Sequence, residues 1–250
     1  MRLRLPLLSG DPATPFPDPR TALREPDGLL AGGGDLSPTR LLNAYRHGIF
    51  PWYSEGQPIL WWSPDPRVVF RSDGVHLSRR FRRELHALDW TIRADTAFDR
   101  VVRNCANSPR TDQSGTWITT AMRNAYGELH RLGHAHAIEV WDGALLVGGL
   151  YGVAIGRMFF AESMFSAVSG GSKVALAALA AILREWAWPL FDAQVESGHL
   201  LRMGAETMPR DTFLDIVALQ TALPADVGPW TQAIRERSMS WLLHATEPSD

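Results

Sequence analysis

A carboxylate and an amide stand two residues apart in one apolar segment of the chain. Asp192 and Gln194 lie in residues 190–195, whose composition predicts a short strand. Because side chains alternate along a strand, these two would share one face, with Phe191 on the other. Such a pair can hold an amine or orient a proton transfer, and it can equally be a strand-edge pair satisfied by backbone groups.

A second carboxylate lies where an acid is energetically unfavourable. Glu162 belongs to residues 159–165, a segment otherwise too apolar to face water. A buried carboxylate that lacks a hydrogen-bond donor or a cationic partner is strongly destabilising. The sequence therefore predicts that Glu162 meets a hydrogen-bond donor or a cationic group of a substrate. The alternative is a structural ion pair with an arginine of the chain.

Three weaker patterns suggest other chemistry. Residues 166–172 are glycine-rich and precede a predicted helix, so their N–H groups could receive a phosphate, but they match no phosphate-binding motif and more often form a turn. His134 and His136 lack the cysteine or acidic partners of a zinc site, so no metal is predicted. Cys105 is interpreted as a buried thiol.

Positive charge is concentrated in one short stretch. The chain has 25 basic and 27 acidic residues, a formal net charge of −2, yet residues 67–83 contain six arginines and one acid. Arginine forks suit phosphate oxygens, so a nucleic-acid contact is one interpretation, and a solvated helix face is the other. The residues concerned are Arg79, Arg80, Arg82 and Arg83.

The predicted elements of the first part of the chain form a small α/β layer. Six prolines among the first thirty residues exclude a helix there and predict an extended arm. Ser37 followed by Pro38 predicts a helix start. Further helices are predicted over residues 76–88, 97–107 and 120–132, and strands over 59–62, 67–71 and 90–93.

The second part of the chain has a different pattern of predicted elements. Residues 135–141 alternate, Asp142 and Gly143 are a strong hairpin signal, and two more strands follow to residue 165. An apolar helix, a strand and a last helix around 211–219 complete the order β-β-β-α-β-α. This order indicates an α+β fold and resembles the acyltransferase half-domain built around a splayed sheet. Two domains are predicted, residues 1–110 and 111–250.

Composition excludes several classes of protein. Apolar residues make up 45% of the chain, including ten tryptophans, which excludes global disorder. The longest apolar run, residues 174–183, is half of the about 20 residues that a bilayer span needs. With no secretory-type leader and one cysteine, a cytoplasmic protein without a membrane anchor is expected.

Nine segments of the chain together resemble the signature of one family. They occur in that family's order between residue 20 and about residue 217, and the family is the bacterial leucyl/phenylalanyl-tRNA–protein transferases. The segments are 25–31 (EPDGLLA), 33–37 (GGDLS), 48–52 (GIFPW), 61–67 (WWSPDPR), 115–119 (GTWIT), 133–136 (GHAH), 139–141 (EVW), 162–166 (ESMFS) and 192–194 (DAQ).

The resemblance implies a particular reaction. The expected enzyme moves leucine or phenylalanine, and also methionine, from a charged tRNA onto the N-terminal Arg or Lys of a protein, which marks that protein for degradation. The expected partners are Leu-tRNA, Phe-tRNA and such proteins, and no cofactor, acetyl-CoA, metal or membrane is involved. The implied fold is a C-terminal domain similar to the GNAT acyltransferases with a smaller N-terminal α/β domain.

The same resemblance assigns roles to residues. Asp192 with Gln194 would orient or deprotonate the attacking amine, and Glu162 would help to hold the aminoacyl-adenosine end. Trp52 and Trp117 match positions near the adenosine and the acceptor end, and the four arginines match a basic helix that contacts the tRNA acceptor arm. The residues expected to form the aminoacyl pocket are Leu150, Phe159, Leu176, Leu179, Leu183 and Phe191.

Departures from the family pattern leave room for alternatives. Ala161, Ala193 and Arg202 replace residues that are commonly glycine, cysteine and serine, which affects the expected acceptor side. One alternative is a CoA-dependent N-acyltransferase whose diphosphate would lie at the start of the apolar helix. The other is a noncatalytic tRNA-binding module that uses the arginines but not Asp192.

Overall fold

A small sheet holds the proline-rich arm in place. The computed structural model describes residues 5–108, 117–225 and 228–247. Within these ranges the small sheet has the order β1-β2-β4-β3, with β1 parallel to β2. Arg40 donates hydrogen bonds to the carbonyl oxygens of Ser9, Asp11 and Thr14 and thus ties the arm to the residues that follow it. The strands are β1 (Leu7–Leu8), β2 (Leu29–Gly33), β3 (Phe50–Pro51) and β4 (Leu60–Trp62).

A larger sheet forms the centre of the protein. Its eight described strands have the order β11-β5-β10-β9-β8-β7-β6-β12, in which β9 and β10 are parallel neighbours. The hairpin at Asp142 and Gly143 is confirmed, and Gly143 has a φ of 55°. The strands are β5 (Arg67–Arg71), β6 (Trp90–Ala94), β7 (Ala135–Asp142), β8 (Leu145–Ile155), β9 (Met158–Ser166), β10 (Leu190–Gln194), β11 (Glu206–Met208) and β12 (Arg237–Ser238).

Helices pack against the large sheet, and their buried side chains belong to two separate hydrophobic clusters. One cluster includes side chains of α1, α3, α4 and α7, and the other is built around α5 and α8. The helices α6 and α8 and the strands β11 and β12 were not predicted, and α2 is shorter than predicted. The helices are α1 (Pro38–Arg46), α2 (Arg79–Leu85), α3 (Phe98–Asn107), α4 (Thr120–Arg131), α5 (Gly171–Glu185), α6 (Gly198–Arg202), α7 (Arg210–Ala222) and α8 (Met239–Ala245).

The glycines at the start of α5 have a packing reason. A Cβ on Gly171 would collide with the backbone of Val147, and a Cβ on Gly148 would collide with the backbone of Gly171. The helix α5 therefore approaches β8 more closely than a side chain would allow. Ser166 Oγ accepts a hydrogen bond from the N–H of Ser172 at 2.8 Å and closes the preceding turn.

The predicted division near residue 110 falls in residues 109–116, which lie outside the described residues. Strands β5 and β6 precede this point and nevertheless belong to the large sheet. The large sheet therefore takes strands from both predicted domains. Among the helices of the described ranges, none combines the length and the hydropathy that crossing a bilayer requires.

Candidate active site

A cavity of about 710 Å³ opens at the carboxyl ends of the parallel strands β9 and β10. This is the edge of a parallel sheet region at which ligands commonly bind. The cavity has an apolar part and a polar part. The apolar part includes Phe50, Phe70, Leu150, Met164, Leu176 and Phe191, and the polar part includes Glu162, Gln194, Glu196, Ser197 and His199.

The structure brings seven of the eleven residues predicted for catalysis and substrate binding to this cavity. Glu162 and Gln194 line it together, although the helix α5 separates them in the chain. The apolar wall contains three of the six expected pocket residues. The predicted residues that line the cavity are Trp52, Trp117, Leu150, Glu162, Leu176, Phe191 and Gln194.

Three expected pocket residues lie elsewhere, which corrects that part of the prediction. Phe159, Leu179 and Leu183 are fully buried in the cluster around α5 and are not among the residues that line the cavity. A shared helix stripe predicts a common apolar surface, but only the Leu176 end of that stripe reaches the cavity. The other two leucines of the stripe are buried in the cluster around α5.

Glu162 is held by a buried network of neutral donors. The phenol of Tyr45 donates to Oε1 at 2.7 Å, and that of Tyr126 donates to Oε2 at 2.6 Å. The Nε2 group of Gln194 donates to Oε1 at 2.6 Å. The predicted donor for Glu162 therefore exists, but among the described residues it consists of two phenols and an amide rather than an arginine.

Burial sets the protonation of this network. Burial raises the pKa of Glu162 from 4.5 to about 7, while the three hydrogen bonds oppose the rise and the charge of Asp192 adds to it. Burial also raises the pKa of Tyr45 and that of Tyr126 well above 10, and the charge of Glu162 contributes in both cases. Both phenols are therefore neutral donors, and the carboxyl group titrates near neutral pH.

Asp192 lies behind the cavity rather than in its wall. Its side chain is 0% exposed and forms a two-point ion pair with Arg67, with Nε to Oδ1 at 2.8 Å and Nη2 to Oδ2 at 2.6 Å. Oδ1 also accepts the N–H of Gln194 at 2.9 Å. Because both oxygens are occupied and Asp192 does not line the cavity, a direct contact with a substrate amine is not available to it.

The strand β10 becomes irregular where it meets the cavity. Its register with β5 shifts between Asp192 and Gln194, and Gln194 has a φ of 64°, in the left-handed region. The simple alternation predicted from sequence therefore ends at Asp192, because a bulge re-aims the following side chain. Gln194 consequently reaches both the cavity and Glu162.

The arginine cluster divides into two pairs. Arg82 donates to the carbonyl oxygens of Leu243 and Thr246 and thus ties α2 to the end of α8. Arg80 pairs with Glu84 at 2.9 Å on the same helix. Arg79 and Arg83 are exposed and form no ion pair with the described residues. Two of the four predicted tRNA contacts therefore have guanidinium groups that are not engaged within the described part of the chain.

His134 and His136, the two candidate metal ligands, lie in separate environments that contain no metal site among the described residues. His136 contacts Asp95 at 2.8 Å and stacks on Trp230 at 4.1 Å. Burial lowers the pKa of His134, and the charges of Arg46 and His136 lower it further. Within the described ranges, no group of three or more His, Cys, Asp or Glu side chains is arranged to hold a metal ion. Cys105 is buried, as predicted.

Sequence reasoning missed four residues of the site. Tyr45 fits the apolar stripe of α1, so the pattern indicates burial but not the hydrogen bond of its hydroxyl group. Arg67 was counted only within the positive stretch, although it ends the segment WWSPDPR. Neither Tyr126 nor Glu196 has a local signal, because their roles depend on neighbours that are distant in the chain.

Fold and site together define a mixed α/β protein with a deep, largely apolar cavity beside a buried carboxylate–amide pair, an arrangement suited to group transfer. The family model of the leucyl/phenylalanyl-tRNA protein transferases matches residues 69–218, and the model of their N-terminal domain matches residues 34–65. The chain belongs to the leucyl/phenylalanyl-tRNA protein transferase family, which confirms the resemblance, and it is an aminoacyltransferase.

Close relatives cover almost the whole chain. A leucyl/phenylalanyl-tRNA–protein transferase of Xanthomonas campestris pv. campestris (strain B100) is 66% identical over 236 residues, which are 94% of this chain and 95% of the relative. The enzyme of the same name from Xylella fastidiosa (strain 9a5c) is 63% identical over 222 residues, 88% of this chain and 91% of the relative.

The solved structures are more distant. The structure of L-PGS from Bacillus licheniformis matches with a TM-score of 0.38 and 11% identity, over 61% of this chain and 50% of that one. This likeness is too low to assign a shared fold.

Proposed function

We propose that the cavity binds the aminoacyl end of leucyl-tRNA or phenylalanyl-tRNA, and also of methionyl-tRNA, and that the enzyme transfers the aminoacyl group to the N-terminal Arg or Lys of a protein. The observation that carries this proposal is the amide of Gln194, held against Glu162 at the wall of a largely apolar cavity. The product is a degradation signal, and the reaction takes place in the cytoplasm, where charged tRNA is available.

The reaction is aminolysis of an ester, which requires positioning more than a cofactor. The acceptor nitrogen forms a bond with the ester carbonyl carbon, the bond from that carbon to the ribose oxygen breaks, and the amine proton leaves with the ribose oxygen. Because Nε2 of Gln194 donates to Glu162, its Oε1 is free of donors from the described residues and can accept a hydrogen from the attacking amine.

The order of elements supports a GNAT-like catalytic core. Strands β7 to β9, helix α5 and strand β10 follow one another as predicted, and the predicted last helix is α7, which comes after α6 and β11. The cavity lies at the carboxyl ends of the parallel pair β9 and β10, where an acyl group can enter between the two strands.

A direct test uses radiolabelled leucyl-tRNA and three peptides that differ only in their first residue. We expect label to enter peptides that begin with Arg or Lys and not a peptide that begins with Ala. Label in none of the peptides, together with heat of binding for acetyl-CoA in calorimetry, would instead favour a CoA-dependent acyltransferase. Binding of tRNA without any transfer would favour a noncatalytic module.

A larger side chain in the apolar wall should block binding of the aminoacyl group. Leu176 lines the cavity, so Leu176→Trp is expected to fill it and to raise KM for leucyl-tRNA at least about tenfold, a loss of about 1.4 kcal/mol of binding. Leu219→Trp is the matched control, since Leu219 is 68% exposed on α7. Equal kinetics for the two variants would show that the aminoacyl group binds elsewhere.

Glu196 supplies the negative charge that a basic acceptor residue requires. It is exposed at the cavity wall, two residues beyond Gln194, and forms no hydrogen bond or ion pair with the described residues. The other cavity carboxylate, Glu162, has donors on both oxygens. The described residues of the wall include no Lys or Arg. We therefore place the acceptor's cationic side chain at Glu196.

Glu196→Gln is expected to raise KM for a peptide that begins with Arg by about tenfold while kcat changes little, because uniform binding is lost. The control is Glu206→Gln, which neutralises an exposed acid of β11 that does not line the cavity. The assignment fails if both variants have the same KM, or if Glu196→Gln changes KM for leucyl-tRNA instead.

The unpaired arginines of α2 are proposed as phosphate contacts. Substituting Arg79 and Arg83 by Ala should weaken tRNA binding and flatten the dependence of log K on log salt by about 1.4 to 1.8, since each phosphate contact contributes about 0.7–0.9 to the slope. Arg103→Ala with Arg131→Ala, two exposed arginines outside α2, controls for net charge. A slope equal to that of the control would rule out this contact.

A further inference from the structure

Arg67 is the last residue of the segment WWSPDPR, and its guanidinium group lies against the carboxylate of Asp192. Its side chain is 1% exposed. Every terminal nitrogen of its guanidinium group and its Nε are engaged, because Nε and Nη2 donate to the carboxylate of Asp192 and Nη1 donates to the carbonyl oxygen of Gly48 at 3.1 Å. An arginine with this set of partners has a single orientation.

Two aromatic rings hold the same group by its faces. The Cζ atom of Arg67 lies 4.8 Å from the ring centre of Phe50 and 4.6 Å from that of Phe213. Guanidinium groups stack favourably on aromatic faces, most of all when both are removed from water. Phe50 also lines the cavity. The segments 48–52 and 61–67 therefore meet at this one side chain.

The fixed carboxylate of Asp192 controls the backbone of the next functional residue. Oδ1 accepts the N–H of Gln194 at 2.9 Å, and Gln194 has a φ of 64°. A residue other than glycine is unfavourable in this left-handed region, so it persists only where the surroundings hold it. In this conformation the amide of Gln194 reaches Glu162 and the cavity.

We propose that Arg67 is a positioning residue for aminoacyl transfer. It fixes Asp192, Asp192 fixes the backbone N–H of Gln194, and the amide of Gln194 is thereby aimed at the acceptor amine; this inference rests on the proposed function. A lysine would preserve the charge, but it cannot make two parallel N–H bonds to one carboxylate. The orientation of the guanidinium fork, and not its charge alone, is therefore what the reaction uses.

The test is a double-mutant cycle with Arg67→Lys and Gln194→Ala. Alone, Arg67→Lys is expected to lower kcat by about 10- to 100-fold, the effect of a small misplacement of a positioned group, with KM for leucyl-tRNA nearly unchanged. In the Gln194→Ala background it should lower kcat no further, because its effect passes through Gln194. A merely structural role would lower kcat equally in both backgrounds.

Two further variants keep the result interpretable. Arg40→Lys alters another fully buried arginine, whose partners are Asp35 and carbonyl groups of the arm, and its effect on kcat should be the same with and without Gln194. If Arg67→Lys does not fold, as melting curves would reveal, Phe213→Leu removes one face of the stack and leaves the ion pair. It should show a smaller loss of kcat with the same dependence on Gln194.

The outcomes separate the two proposals. Wild-type transfer to a peptide that begins with Arg, combined with equal losses in both backgrounds or with no loss in Arg67→Lys, would overturn the role of Arg67 and leave the proposed function standing. The absence of any transfer by the wild-type protein would overturn both.

Discussion

Replacing Asp192 with asparagine is expected to lower the free energy of unfolding by about 3–5 kcal/mol and to abolish transfer. The substitution keeps the shape of the side chain but leaves Arg67, which is 1% exposed, without a counter-ion. An amide NH2 would also face the Nη2 group that now donates to Oδ2. Urea denaturation measures the stability, and the label-transfer assay measures the activity. Affinity for tRNA is expected to stay near the wild-type value.

Two comparisons separate stability from chemistry. Glu84→Gln breaks the exposed pair with Arg80 and should change the free energy of unfolding by less than about 1 kcal/mol. The double substitution Arg67→Met with Asp192→Leu replaces the ion pair by apolar groups, which should recover most of the stability. It should not recover transfer, because the N–H of Gln194 loses its acceptor. Wild-type stability and transfer in Asp192→Asn would contradict this account.

The second large effect is a pH dependence of stability that is due to Glu162. The pKa of this group is about 7 in the folded protein, whereas the ordinary pKa of an exposed glutamate is 4.5. Between these values the unfolded chain has lost the proton and the folded protein retains it. Stability is therefore fully present below pH 4.5, falls as the pH rises towards 7, and the loss amounts to about 3 kcal/mol.

Glu162→Gln isolates this contribution. Other groups titrate in the same range, including His134 and His199, whose pKa values are lowered by burial, so the comparison is the difference between variant and wild type at each pH. That difference should grow in favour of the variant from pH 5 to pH 8. Parallel stability curves for the two proteins would show that Glu162 keeps its ordinary pKa.

The same titration should appear in the reaction. The ionised Glu162 accepts the Nε2 hydrogen of Gln194, so kcat is expected to rise with pH through about 7. The acceptor's α-amine must also lose a proton, near pH 7.7–8.0 in the free amine. Glu162→Gln should retain only the second of these steps. Identical pH profiles for the two proteins would remove Glu162 from the control of Gln194.

Much of the fold could be predicted from local patterns. The hairpin at Asp142 and Gly143, the apolar helix α5 and the order of elements from β7 to β10 follow from periodicity and turn residues. The nine signature segments identified the family, and they also pointed to Glu162 and Gln194. Features that depend only on residues close together in the sequence could therefore be predicted.

The sequence by itself determined the family, the reaction class and the residue types of the site, because turn chemistry, hydrophobic periodicity and motif spacing are local properties. Only the tertiary structure decided that Arg67 occupies both oxygens of Asp192, that two tyrosines hold Glu162, and that Leu176 rather than Leu179 borders the cavity. These outcomes depend on contacts between residues that are far apart in the chain, as in the pair 67 and 192. A local pattern indicates that a side chain is buried, but not which distant group will meet it.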